Sequence, residues 1–176
     1  DIQVLNRRGG IASDASKEIW WFLVVFRADA MAINEARTYY VNYGSTVQNI
    51  IQNPMSIIDS GTFYTISGSQ HVFEVNKNKF DIFRRVSING NDIIAPTSAS
   101  GFYAKGADGI DYTTLNDVPA ITLEEDGDVH KTFRVRGKFR SSTSVPLLGY
   151  DAYLHIYRDG KAELNFLTEN RGPIDN

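Results

Sequence analysis

The chain has 176 residues, a formal net charge of −3, no cysteine and an aromatic content of 12%. The missing cysteine excludes disulfides, thiolate nucleophiles and sulfur-ligated zinc, and the weak negative charge provides no field to draw the chain onto nucleic acid or anionic lipid. A chain of this length fits one domain, or one domain plus an arm, and buries enough surface to fold without a staple.

Strand signals run the length of the chain. Ile19-Trp20-Trp21-Phe22-Leu23-Val24-Val25-Phe26 is the longest apolar run, far short of the roughly 20 residues that cross a bilayer. Adjacent tryptophans and a Val-Val pair are poor helix material, so the run predicts a central strand covered on both faces. One short helical turn is expected within 29–36. Arg37 to Tyr43 alternates and predicts a strand before Gly44. Further strands are expected at Phe63 to Ile66, Val72 to Val75, Ile82 to Ile88, Ala120 to Glu124, Lys131 to Arg140, Tyr150 to Tyr157 and Lys161 to Leu167. No apolar period of 3.6 residues persists for three turns. The fold class is therefore all-β, an antiparallel meander forming a barrel or sandwich over residues 1–176.

Turn chemistry predicts the registers. Asn89-Gly90 suits a two-residue type I′ loop, which pairs Val86 with Ile93. At Arg158-Asp159-Gly160, a three-residue loop with left-handed Gly160 pairs Leu154 with Leu164 and Ile156 with Ala162. A two-residue loop would mix the faces, so the longer one is favoured. The same logic at Glu125-Asp126-Gly127 pairs Leu123 with Val129.

Four stretches carry a family resemblance. They are Asp14 to Asp29 with Thr38 to Gly44, then Ile58-Asp59-Ser60-Gly61 leading into Phe63, then Phe80 to Gly90. The last runs from Glu124-Glu125-Asp126-Gly127 through Val135-Arg136-Gly137 and Leu154-His155-Ile156-Tyr157 to Asn170. In this order the chain resembles the N-terminal domain of exo-rhamnogalacturonan lyase and YetA-like proteins, a RIFT-related β-barrel. The resemblance implies an accessory domain set before a separate catalytic region. It also implies a further strand upstream of Asp1, and a glycine where Ala15 stands. The opening at Asp1 leads us to expect a processed or excised piece whose open edge a neighbour fills by strand addition.

The residues that could carry chemistry are few. His71, His130 and His155 are the only histidines, and none sits at metal-ligand spacing to another. His155 is expected opposite Glu163, as a cross-strand hydrogen bond rather than an acid–base pair. Glu124, Glu125, Asp126 and Asp128 lack the ligand spacing of a calcium loop and read as a soluble turn with left-handed Gly127. Asp108-Gly109-Ile110-Asp111 reads as a turn entering a strand.

On Lys131 to Arg140 the odd positions Phe133, Val135 and Phe139 form a core face. The even positions Arg134, Arg136, Lys138 and Arg140 form a basic stripe about 20 Å long. This stripe is the expected contact site for an acidic polysaccharide or an acidic neighbouring subunit. Its plainer alternative is a solvated face paired with Glu163 or Glu124. Tyr39, Tyr40, Tyr43, Tyr150, Tyr153 and Tyr157 offer a sugar-stacking platform, although half of them must point inward.

No phosphate loop and no nucleophilic triad can be placed, and no cofactor or metal is expected. The reading is a non-catalytic structural or assembly module of a larger extracellular or virion-surface assembly. It would contact copies of itself or other subunits by edge strands, without nucleic acid or membrane insertion. The alternative is a carbohydrate-associated accessory domain of a polysaccharide lyase. A stand-alone lyase using His155 or Tyr153 with Arg136 is the least favoured reading.

Overall fold

The structure is a computed structural model and describes residues 2–7, 19–24, 26, 28, 30–42, 53–97 and 100–169. The chain divides into two compact units, Asp1–Asn53 and Pro54–Asn176.

In the first unit, β1 (Ile2–Arg7) and β2 (Ile19–Val24) form an antiparallel ladder with register irregularities around Asn6. The tryptophan run is thus a strand over Ile19–Val24, where its composition predicts a central strand covered on both faces. It has one strand neighbour among the described residues, and Phe22 and Phe26 are about half exposed. The strand expected from Arg37 is absent through Asn42, and Tyr43 lies outside the described residues. Local polar bonds compete with extension there. The Arg37 guanidinium donates to Glu35 Oε1 at 2.5 Å and to the Ala30 carbonyl at 2.9 Å, drawing the chain into a loop. In place of the expected helical turn there is a β-turn at Ile33–Asn34, closed by Glu35 N–H to the Ala32 carbonyl at 3.1 Å. Asn34 at φ 65° cannot continue a right-handed helix.

The second unit holds two sheets. A five-stranded meander runs β3 (Ser56–Asp59), β4 (Phe63–Ser67), β5 (His71–Asn76), β6 (Arg85–Ile88) and β7 (Asn91–Ile94) in chain order. The six-stranded sheet comprises β8 (Tyr103–Lys105), β9 (Asp111–Thr113), β10 (Ala120–Asp126), β11 (His130–Arg140), β12 (Pro146–Tyr157) and β13 (Ala162–Glu169). Its order is β13-β12-β11-β9-β8, with β10 also pairing β11. One 3-10 turn, Thr114–Asn116, interrupts the strands, and no α-helix occurs among the described residues.

Alternation sends one face of each sheet into a shared interior. Met55, Ile66, Phe73 and Val75 from one side meet Phe133, Leu154 and Ile156 from the other. A second cluster joins Phe80, Tyr112, Val135, Phe139, Tyr150 and Ala152, with Phe166 packed against it. Two antiparallel sheets closed over one core place this unit in the class of β-sandwiches and barrels.

The strand expected from Ile82 begins only at Arg85. Before it, Phe80 and Asp81 turn inward and are almost fully buried, and the Thr114 hydroxyl donates to the Phe80 carbonyl at 2.7 Å. Ile82 then turns the chain at φ 63°.

The predicted registers divide by turn. The Arg158 loop pairs Leu154 with Leu164 and Ile156 with Ala162, with Gly160 left-handed at φ 88°, as its chemistry predicts. Asn89 and Gly90 both take positive φ, and Ile88 faces Asn91 as a two-residue loop requires. A bulge beyond Ser87 nevertheless moves Val86 from Ile93 to Ile94. The expected Leu123–Val129 pair is wrong. Leu123 faces Phe133 and Asp126 faces Lys131, because the turn closes by Gly127 N–H to the His130 carbonyl and β10 shifts register between Leu123 and Glu125. Gly127 is not left-handed.

Candidate functional site

The outer face of the six-stranded sheet is laid out by its registers. On β11, Thr132 faces Glu125 of β10 and His155 of β12, and His155 faces Glu163 of β13. One polar row therefore crosses four strands. In the next row Arg134 lies between Thr122 and Tyr153, and Arg136 follows between Ala120 and Asp151. Lys138 follows beside Gly149, and Arg140, after a register shift, ends the row between Thr113 and Pro146.

The basic stripe does lie along this face, with Phe133, Val135 and Phe139 buried beneath it. Its four cations are not equivalent. Arg134 grips Asp151 with two guanidinium nitrogens, one of them 2.9 Å from Oδ1, and lies 3.8 Å from Glu124. Its guanidinium also sits 5.3 Å from the centre of the Tyr153 ring. Its hydrogen bonds to the Asp151 carboxylate raise its pKa still further, so it stays charged at any working pH. Arg140 binds Asp117 at 2.5 Å and the Ser144 carbonyl at 2.9 Å, while the other Asp117 oxygen accepts the Lys138 backbone N–H at 2.7 Å. Arg134 and Arg140 are thus committed within the molecule. Arg136 and Lys138 are exposed and form no ion pair among the described residues.

Beside the stripe, the polar row closes into a cluster. The Thr132 hydroxyl bonds Glu125, His130 Nε2 at 3.1 Å and His155 Nδ1 at 3.0 Å. Glu125 Oε2 also lies 3.3 Å from His130 Nδ1. The His130 ring stacks on Tyr157 at 4.6 Å and on His155 at 5.5 Å. His155 Nε2 meets the Asn165 amide at 3.3 Å. Burial lowers the His130 pKa, opposed by the charge of Glu125.

His155 and Glu163 are paired in register, but the expected hydrogen bond between them does not form. Glu163 instead accepts from the Tyr157 hydroxyl at 3.1 Å and pairs with Lys161, which lowers its own pKa.

The acidic turn is dispersed among separate partners. Glu124 lies near Arg134, Glu125 joins the histidines and Asp126 pairs with the buried Lys131. The Asp128 carbonyl accepts Met55 N–H. Asp108 behaves as its turn predicts: it accepts from Ile110 N–H and the Tyr112 hydroxyl, one residue before Gly109 at φ 79°.

In the second unit, Tyr153 under Arg134 and Tyr157 against His130 lie on the outer face of β12, whereas Tyr150 is buried in the core. In the first unit, Tyr39 packs against Phe26 at 4.8 Å.

Sequence reasoning missed the convergence of Glu125, His130 and His155. The only local signal is His130-x-Thr132, two polar residues two apart on one strand face. The rest depends on the pairing of β11 with β12, which no local pattern reports. The second unit defines a polar-faced antiparallel β-domain. No protein-family model matches the chain, no curated protein matches it, and no solved structure matches it.

Proposed function

We propose that the protein is a non-catalytic assembly module of a larger extracellular or virion-surface structure, joining copies of itself or other subunits through an open sheet edge. The observation that carries this reading is β13. It is eight residues long, ends the six-stranded sheet, and has β12 as its only strand neighbour among the described residues. No strand among the described residues pairs its outer edge, where another strand can add. Leu167 lies on it 60% exposed, an apolar contact at the joint. The resemblance to the RIFT-related accessory domain belongs to the same proposal, since such a domain also works by contact.

Sedimentation from micromolar to millimolar concentration tests it. The wild-type chain should associate, and Leu167→Lys should stay monomeric with an unchanged melting temperature, because exposed substitutions usually shift stability by no more than about 0.5 kcal/mol. A wild-type chain that stays monomeric across that range overturns the reading.

Arg136 and Lys138 favour a second reading, as an accessory domain for acidic polysaccharide. Two exposed cations without an ion partner among the described residues suit a uronate chain. Affinity electrophoresis in polygalacturonate should show retardation that added salt weakens and that Arg136→Ala with Lys138→Ala abolishes. Retardation indifferent to both changes excludes these cations as the site.

A further inference from the structure

The structure brings three possible metal ligands from three strands toward one point. The carboxylate of Glu125 and the imidazoles of His130 and His155 each offer a ligand atom within 4.8 Å of the others. We propose that these three residues bind a divalent transition-metal ion of the zinc class, with Asn165 orienting His155 from the outer shell.

The proton inventory of the cluster supports this. All three groups bond the Thr132 hydroxyl, which has one proton and two lone pairs. With that proton on the bond to Glu125, His130 Nε2 and His155 Nδ1 must both donate to the oxygen. At His155 this leaves Nε2 to accept from the Asn165 amide at 3.3 Å. At His130, donation through Nε2 turns the Nδ1 lone pair toward Glu125 Oε2, 3.3 Å away, in a ring that is almost fully buried. A cation among these groups removes the conflict, because each ligand then directs a lone pair at positive charge.

The donor set fits the ion. Two imidazoles and one carboxylate suit zinc and leave a fourth position for water. With bonds of 2.0–2.1 Å, tetrahedral ligands lie roughly 3.4 Å apart. The ligand atoms, all within 4.8 Å of one another, must therefore draw in by at most roughly 1.4 Å, with Thr132 rotating aside. Glu125 and His155 are only partly buried, which gives side-chain freedom and an entry path. Metal on Nδ1 leaves His155 Nε2–H to donate to the Asn165 carbonyl oxygen once that amide turns, the usual support of a ligating histidine.

The test uses the full chain after chelator treatment. Calorimetry with Zn²⁺ alone should give one ion per chain. Co²⁺ should give a visible absorption band that added Zn²⁺ abolishes. His155→Ala and Glu125→Gln should each weaken Zn²⁺ binding by at least the roughly 100-fold that loss of an outer-shell partner can cost. Asn165→Ala should weaken it by roughly 10-fold or more, and His71→Gln should leave it unchanged. Melting in chelator shows whether each variant folds, and Zn²⁺ should raise the wild-type melting temperature but not that of His155→Ala. The proposal is overturned if the wild-type chain takes up no Zn²⁺ at millimolar concentration, or if uptake is equal in His155→Ala and Glu125→Gln.

Discussion

Phe133→Ala is expected to lower the unfolding free energy by about 3–5 kcal/mol, a large share of what a domain of this size has. Phe133 is fully buried on β11, with its ring 5.2 Å from that of Tyr64 on β4. It packs in the cluster that joins the two sheets, among Ile66 and Val75 on one side and Leu154 and Ile156 on the other. Truncation removes the side chain's transfer energy and leaves a cavity that two facing sheets cannot collapse around, because each is held by its own ladder. Urea unfolding is the check. The midpoint should fall with little change in slope, and Phe133→Leu should fall between alanine and wild type. A loss under about 1 kcal/mol would mean that this ring does not hold the sheets together.

Gly160→Ala should be the second most damaging change, at about 2–5 kcal/mol. Two costs add there. The residue sits at φ 88°, where an L side chain costs roughly 1–2 kcal/mol. A Cβ would also stand 2.3–2.4 Å from three atoms of the His71 ring, an overlap costing about 1–3 kcal/mol to relieve. Gly90 supplies the comparison. It has φ 80° and nothing within 4 Å of the same added atom, so Gly90→Ala carries only the backbone cost. Chemical denaturation of the two variants should therefore separate them, with Gly160→Ala the less stable. Adding His71→Ala to Gly160→Ala should recover part of the loss. Equal effects of the two glycine changes would show that the His71 ring moves aside freely.

Gly160 also shows how far local chemistry reaches. The choice between a two- and a three-residue loop rests on face consistency: only the longer loop pairs Leu154 with Leu164 and Ile156 with Ala162, and that is the register observed. The alternation of Phe133, Val135 and Phe139 predicts the buried face of β11 for the same reason, since side chains on a strand have period two. At Gly127 the same reasoning fails. A glycine after two acidic residues resembles a left-handed turn position, yet the Asp126–Lys131 ion pair and the Gly127-to-His130 hydrogen bond place the turn elsewhere. Those partners lie across the hairpin, beyond the window in which turn propensity acts.

Arg37 to Asn42 fails for a related reason. Alternation marks a segment that could lie on a sheet, but a strand needs a neighbour to satisfy its backbone. Arg37 instead bonds Glu35 and the Ala30 carbonyl within its own loop.

The basic stripe divides along the same line. That Arg134, Arg136, Lys138 and Arg140 share one face follows from their spacing alone. That Arg134 and Arg140 are held by Asp151 and Asp117, while Arg136 and Lys138 stand exposed without an ion pair among the described residues, does not. Asp151 precedes Tyr153 on a different strand, and Asp117 lies in the connection between the 3-10 turn and β10. Neither is a neighbour until β11 has paired on both sides.

The sequence by itself determined the all-β class, the core face of β11 and the Gly160 hairpin, because strand period and turn chemistry act over a few residues. Only the tertiary structure decided which cations are already paired, which strand ends a sheet, and that Glu125, His130 and His155 meet around Thr132. Those outcomes depend on register between strands separated by turns and loops, where one residue of slip sends every side chain to the opposite face.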